Sequence, residues 1–349
     1  MEIDQVETFV AIVRRGGFTR AATALHLSQP AVSRRLDLLE REIGRSLFDR
    51  IRGGARLTEA GQAFLPHAEA LLASVRDGIE AVRGLERADR GTVTVALVGT
   101  LASTALTARL QRFRRAHAEV RLVLRTALSR EVSALVRRGD AVLGLRYFRD
   151  PDPELVSLPL YDEALVTVCA PGHRLVRARR PTAQMLAGET WVAFPLRQGS
   201  SGESYAQMLA QRLAALGQSD SEIVPIDSLT AQKRLVEAGF GLALMPESSV
   251  EEELRLGTLR ALNVAAMRLA VPVVLVHRRR AYLSGAARAL MALLAEGPAK
   301  AAIQGPARSL TPGRAATGSS SRRAGAAGPG RARGPTAPRA ARPSSHRAR

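Results

Sequence analysis

A single cysteine, a single tryptophan and an aromatic content of 4% are what this chain of 349 residues has least of. One cysteine excludes an internal disulfide framework and a cysteine-rich zinc or iron–sulfur site, and points to a reducing, cytoplasmic setting. That cysteine, Cys169, lies in the apolar run 165–170, a context for a buried strand residue rather than a nucleophile. No run approaches the roughly 20 apolar residues that a membrane-spanning helix requires. At the start, Glu2, Asp4 and Glu7 precede a short apolar stretch, the reverse of the charge order of a secretory signal. The histidines 26, 67, 117, 173, 277 and 346 show no metal-ligand spacing. A Gly-rich phosphate loop and a nucleophile elbow are also missing, so neither a cofactor nor an enzyme is expected.

Acidic residues are scarce in one place above all. Residues 297–349 hold Lys300 and ten arginines with no Asp or Glu, which is +11 of the formal net charge of +19 and leaves +8 for residues 1–296. This tail is otherwise Ala, Gly, Pro, Ser and Thr, too poor in apolar groups to offset an ordering cost of roughly 1–2 kcal/mol per residue, and it reads as disordered. It is either a sequence-blind hold on polyanions or the imprint of GC-rich coding sequence. The latter also fits the near absence of lysine, since Lys233 and Lys300 are the only two.

What the rest contains is periodicity. Val6, Phe9, Val10 and Val13 recur at helical spacing and predict an amphipathic helix over residues 3–15, stopped by Gly16 and Gly17. Thr19 offers a cap for a second helix bearing Ala21, Ala22 and Leu25, and His26 and Leu27 turn the chain. Ser28 offers another cap and Pro30 falls in the first turn of a third helix, 29–43, with Val32, Leu36, Leu39 and Ile43 inward. Two helices, a tight turn and a third helix opening on polar groups form a helix-turn-helix. Its outer face carries Gln29, Ser33, Arg34 and Asp37. Gln pairs two-pronged with adenine, Arg with guanine, and Ser with a base edge or a phosphate. They would equally be ordinary surface residues of a small bundle. Next, Arg45, Arg50, Arg52 and Arg56 surround Phe48, Gly53, Gly54 and Leu57, the pattern of a basic hairpin, or wing, whose guanidiniums reach phosphates or the minor groove.

The runs Phe18-Thr19-Arg20-Ala21-Ala22, Leu27-Ser28-Gln29-Pro30-Ala31-Val32-Ser33-Arg34, Leu38-Leu39-Glu40, Gly44, Leu47-Phe48-Asp49-Arg50 and Leu57-Thr58-Glu59-Ala60-Gly61 resemble the amino-terminal signature of LysR-type transcriptional regulators. The resemblance implies that Ser28, Gln29, Pro30, Ser33 and Arg34 lie at the major groove of double-stranded DNA. It also implies Thr19 near a phosphate, and Arg50 and Arg52 along the backbone.

Beyond Thr58 a helix to about residue 87 is expected, with Pro66 near its start. Leu65, Ala68, Leu72, Val75, Ile79 and Val82 form a narrow stripe on it that calls for a partner helix, unless the chain's own core covers it. The resemblance implies a homodimer, often assembling to a tetramer, and RNA polymerase as a further contact.

From residue 91, strands and helices alternate: strands at 92–98, 120–126 and 141–146 with helices at 102–116 and 130–138, then strands at 164–170 and 190–194, a helix at 202–216, a strand at 223–226, a helix at 229–238, and strands at 242–245 and 271–277 before a closing helix at 284–296. This predicts a parallel sheet with helices on both faces, in two lobes joined by two crossings. Segment 236–246, Val-Glu-Ala-Gly-Phe-Gly-Leu-Ala-Leu-Met-Pro, resembles the same family's effector domain, which has periplasmic-binding-protein architecture. The overall expectation is α/β: a winged helix-turn-helix (1–60), a linker helix (61–90), a two-lobed effector domain (91–296, with 91–160 and 266–296 in one lobe and 161–265 in the other) and the tail. The resemblance puts Thr100, Ser103, Ser129, Arg146, Ser200, Ser201 and Phe240 around a small-molecule effector between the lobes. Arg146 would pair with an anionic effector, the other reading of this residue being an internal ion pair. Ala127 and Val142 depart from the family's usual glycine and aspartate, which leaves the path of the loop at 127 open. A nucleoid-type, sequence-blind DNA binder is the alternative.

Overall fold

In a computed structural model of the chain, the described residues are 1–51, 54–86, 91–178, 180–196 and 205–296. The tail, Arg52, Ser200 and Ser201 lie outside them, and of Arg50 only the backbone is described.

The first helices form where the apolar spacing predicts: α1 (Ile3–Arg15), α2 (Phe18–Leu25) and α3 (Gln29–Ile43). Gly16 at φ +69° ends α1, donating its N–H to the carbonyls of Ile12 and Val13. Thr19 is not a cap: α2 begins at Phe18 behind Gly17, with no side-chain cap. Ser28 does cap α3, its hydroxyl accepting from the Ala31 N–H at 3.3 Å. Phe9 lies at the centre of the core, with ring centroids 5.4 Å from Phe48 and 5.2 Å from Phe64. Strands β1 (Phe48–Ile51) and β2 (Gly54–Leu57) pair antiparallel as the wing. Glu40 of α3 fixes the wing's base by accepting from the N–H groups of Leu47 at 2.6 Å and Phe48 at 3.2 Å.

The long helix α4 (Glu59–Glu86) contains Pro66 and starts at Thr58, whose hydroxyl accepts from the Gly61 N–H and donates to the Ser46 carbonyl. Gly61 is required there: a Cβ would fall 2.1 Å from the Leu47 carbonyl oxygen. The apolar stripe of α4 divides. Ala68 is buried and Leu65 and Leu72 are half-buried against the chain's own head, whereas Ile79 and Val82 are 47% and 65% exposed.

The remaining chain builds a mixed sheet around β3 (Gly91–Val98), β4 (Val120–Ala127), β5 (Leu143–Tyr147), β6 (Leu155–Cys169) and β11 (Leu269–Arg278), in the order β6-β11-β5-β3-β4. The strands β3, β4 and β5 are mutually parallel, but β11 runs antiparallel to both β5 and β6, so the sheet is not parallel throughout. Ala127 simply ends β4, paired with Val98, and its φ is not positive. Helices α5 (Thr104–Ala116) and α10 (Gly285–Ala295) pack together, and α6 (Ser129–Arg137) packs on β3, β5 and β11.

The far end of β6 carries the second lobe, in which β9 (Ala243–Pro246) and β10 (Arg260–Leu262) pair with it. A separate pair, β7 (Trp191–Ala193) and β8 (Ile223–Pro225), lies alongside with α7 (Tyr205–Ala215), α8 (Leu229–Glu237) and α9 (Glu247–Leu256). Cys169 is fully buried at the end of β6, and burial pushes its thiol up to about 11. Trp191 is fully buried in β7. Three parts of this lobe exceed the sequence expectation, the strand β10 among them. The strand β6 starts at Leu155 instead of 164, with a register shift opposite Pro159 that absorbs the proline. Helix α9 was not anticipated; its buried Glu253 is held by Lys233 at 2.6 Å.

Where α4 passes the α6–β5 turn, Gly139 at φ +68° lets the backbone approach, since a Cβ would lie 3.1 Å from that of Ala73. Ion pairs surround the contact. Asp140 accepts Arg14 of α1 at 3.2 Å and Arg76 of α4 at 3.5 Å, and Arg278 grips Asp77 two-pronged at 2.8 Å. No helix among the described residues is long and apolar enough to cross a membrane.

Candidate functional site

The head separates its two jobs by face. Val32, Leu36 and Leu39 are 1% exposed or less, which anchors α3 from below. Gln29, Pro30 and Arg34 on the other side are exposed, and Ser33 is half-buried. Among the described residues no ion pair or side-chain hydrogen bond engages Gln29, Ser33 or Arg34, so their donors and acceptors remain open to an external partner. The neighbouring Arg35 is different: it is held by Asp4 of α1 at 2.9 Å and braces the helix. Thr19 is exposed at the start of α2, and Ser28 spends its acceptor on the cap while its O–H stays available. Arg50 sits in β1 opposite Ala55, and Arg56 pairs loosely with Asp49 at 3.7 Å across the wing.

In the two-lobed region the expected ligand residues do not all converge. Alternation along β5 sends Arg146 and Tyr147 to opposite faces. Arg146 faces α6, 1% exposed, donating to Ser133 at 2.8 Å, to the Tyr147 carbonyl at 3.1 Å and, closest of all, to the Asp150 carboxylate. Of the two readings of Arg146, the structure shows the internal ion pair, with Asp150, and its guanidinium is engaged within the protein. Phe240 is 56% exposed beyond α8 rather than enclosed. Ser103 caps α5, accepting from the Leu106 N–H at 3.4 Å, and Ser129 is half-buried in the first turn of α6.

Thr100 does enter a cluster. Its hydroxyl shares a 2.9 Å hydrogen bond with the Tyr147 hydroxyl, and the Tyr147 ring meets that of Tyr205 edge-on at 5.0 Å. Tyr205 opens α7, so this contact spans the lobes. Glu163 of β6, 5% exposed, accepts from the Ser248 N–H at 3.1 Å at the start of α9. Burial pushes the Tyr147 and Tyr205 hydroxyls and the Glu163 carboxyl upward, and burial with the nearby Glu163 charge pushes Tyr161 up to about 12. Sequence reasoning missed Tyr147, Tyr161, Glu163 and Tyr205; strand alternation past Arg146 was the one available signal for Tyr147.

A helix-turn-helix head with an open polar face, followed by a helix and a two-lobed α/β module with a polar junction, defines a DNA-binding protein with an attached ligand-binding domain. Residues 3–62 match the bacterial regulatory helix-turn-helix protein, lysR family, and residues 86–299 match the LysR substrate binding domain. The chain belongs to the LysR family of transcriptional regulators. It is 31% identical to the HTH-type transcriptional regulator CfxR of Cupriavidus necator over 304 residues, covering 86% of this chain and 93% of that one. It is 34% identical to the SDS degradation transcriptional activation protein of a Pseudomonas species over 308 residues, 86% of this chain and 97% of the relative. Solved structures share the fold: ArgP from Mycobacterium tuberculosis at 19% identity and TM-score 0.62, covering 84% of this chain and 97% of that chain. CbnR, a LysR family transcriptional regulator, does so at 22% identity and TM-score 0.59, covering 85% and 99%. The protein is thus a DNA-binding transcriptional regulator with an effector-binding domain.

Proposed function

We propose that α3 reads base edges through Gln29, Ser33 and Arg34, while Thr19, Ser28, Pro30 and the wing residues Arg50 and Arg52 seat the head on the DNA backbone. The observation that carries this reading is the row of unpartnered, outward polar side chains above the sealed Val32, Leu36 and Leu39 stripe. Two heads act together in the cytoplasm. The exposed Ile79 and Val82 of α4 supply an apolar face for a second copy, joined by Val75 and the half-covered Leu65 and Leu72, and pairing proceeds to a dimer or tetramer. A small molecule held between the lobes, near Thr100, Ser103 and Ser129 and with Ser200 and Ser201 as further expected contacts, favours one lobe arrangement. That arrangement resets the spacing of the heads and their contact with RNA polymerase, by no more than the ligand's differential affinity for the two states.

Selection of duplexes from a random pool by the full chain tests the reading. Enrichment of a partly two-fold site is the expected outcome, because protein symmetry is mirrored in operator symmetry. A pool that stays random, with binding that collapses steeply with salt, favours the sequence-blind alternative drawn from the +11 tail.

A further inference from the structure

Three arginines meet on one carboxylate where the head and α4 lie against the two-lobed domain. Asp140, in the α6–β5 turn, accepts Arg14 of α1 at 3.2 Å, Arg76 of α4 at 3.5 Å and Arg138, at the end of α6, at 3.1 Å. Glu69 of α4, 7% exposed, takes Arg14 at 3.4 Å and Arg138 at 3.8 Å, and Arg76 also donates to the Arg138 carbonyl at 2.6 Å. Among the described residues neither apolar core crosses this seam. The core of the head takes in Phe64, Leu65, Ala68 and Leu72 of α4, whereas that of the two-lobed domain starts at Val93, and Ala73 against Gly139 is the close apolar approach between them. The seam is therefore closed mainly by charge. Its three arginine side chains are 29–46% exposed, so dissolved ions reach them and screen the pairs.

Resting on the reading that the lobe arrangement is passed to the heads, we infer that the α6–β5 turn is a docking face for the chain's own head and linker, held by a salt-labile clasp centred on Asp140, and that α6 is the rod joining this clasp to the lobe junction. The rod is short, nine residues or about 14 Å. Along it, Ser133 holds Arg146 at 2.8 Å, and the next residue in β5, Tyr147, shares a hydrogen bond with Thr100 and meets Tyr205 of the second lobe. At its far end, Arg138 and Asp140 take hold of α1 and α4. Because the head's core includes α4, head and linker respond together when the clasp shifts. Removing the Asp140 charge leaves three guanidiniums facing one another over Glu69 alone, so Asp140→Asn opens the clasp without changing its shape.

The test is amide hydrogen exchange on the full-length protein, read at residues 69–80 of α4 and along α6. Between about 0.1 M and about 1 M salt, where the screening length falls from about 10 Å to about 3 Å, exchange in 69–80 of the wild type should rise several-fold. In Asp140→Asn it should already be raised at the lower salt and respond no further. Arg14→Met removes one arm and leaves Asp140 with Arg76 and Arg138; it should give a smaller change in the same direction, and it serves if Asp140→Asn fails to fold. The second arm uses a duplex that the protein binds, at the lower salt. Coupling is reciprocal, so DNA on the head should alter exchange in α6 of the wild type, and that change should fade in both variants while their affinity for the duplex stays within a few-fold. Wild-type exchange indifferent to salt, or variants that exchange like the wild type, overturns the inference. A DNA-induced change in α6 that both variants retain overturns the inference alone, whereas DNA that leaves α6 unchanged even in the wild type overturns the reading it rests on as well.

Discussion

In the head, Gln29, Ser33 and Arg34 stand on the outer side of a finished core with no side-chain partner among the described residues; in the two-lobed region, Thr100, Ser103 and Arg146, expected at a ligand, lie inside and are already bonded. Arg34 and Arg146 show the contrast within one residue type. The first is exposed and unengaged, the second is 1% exposed and gripped by Asp150, Ser133 and a carbonyl. An arginine's chemistry therefore says little about its role until its burial and its partners are known. A substitution in the head should change binding without stability, and one in the two-lobed region should change stability first.

The largest expected effect breaks the buried partnership. Asp150→Ala strands the Arg146 charge and should cost about 3–5 kcal/mol, read as a lowered denaturant midpoint. An unchanged midpoint would mean that Arg146 relaxes into solvent and that the two regions differ less than described. Next, replacing Ile79 and Val82 together by serine removes apolar burial of about 1.5–3 kcal/mol per side chain at a self-association face. Sedimentation should show the assembly shifting toward monomer, and persistence of the native species would place the interface elsewhere. Arg34→Ala sharpens the other side of the comparison: a loss of about 1–3 kcal/mol in specific DNA affinity with a melting temperature equal to wild type. Ser28→Ala bridges the two regimes, costing about 1 kcal/mol of stability through its cap, measurable by thermal unfolding.

The smallest effect concerns pH. Glu163 is raised by burial, so its folded form holds the proton more tightly than the unfolded chain does. Its contribution to stability is then fully present below the ordinary carboxylate value of about 4.3 and is lost as pH rises through the raised folded value. Glu163→Gln should flatten that part of the melting-temperature profile in the absence of ligand. A wild-type profile retained in the variant would show that the carboxylate is stabilised by something other than a proton.

Legibility from sequence followed the same division. The head was readable because its helices are short, capped locally and strictly periodic, so Val6, Phe9, Val32, Leu36 and Leu39 declared their inward face by spacing alone. Even there the cap at Thr19 misled, since Gly17 opens α2 without any side-chain bond. The two-lobed region gave up its strand and helix order but not its pairing. The antiparallel return of β11 and the early start of β6 past Pro159 depend on partners more than a hundred residues away. Helix α9 is acidic over much of its length, and its buried Glu253 makes sense only beside Lys233. The site was hardest of all. Thr100 was expected there, but its partners Tyr147 and Tyr205 lie far along the chain and carry no motif, and they meet only when β5 and α7 assemble.

The central claim is that the outward row on α3, and not the chain's general positive charge, selects the DNA. The most direct measurement is the affinity of full-length protein and of its Arg34→Ala variant for the selected duplex and for a scrambled duplex of equal length, across a range of salt. The account predicts that the variant loses most of the preference for the selected site while its affinity for scrambled DNA and its salt slope stay close to wild type. Equal losses on both duplexes, or an unchanged preference, would contradict it.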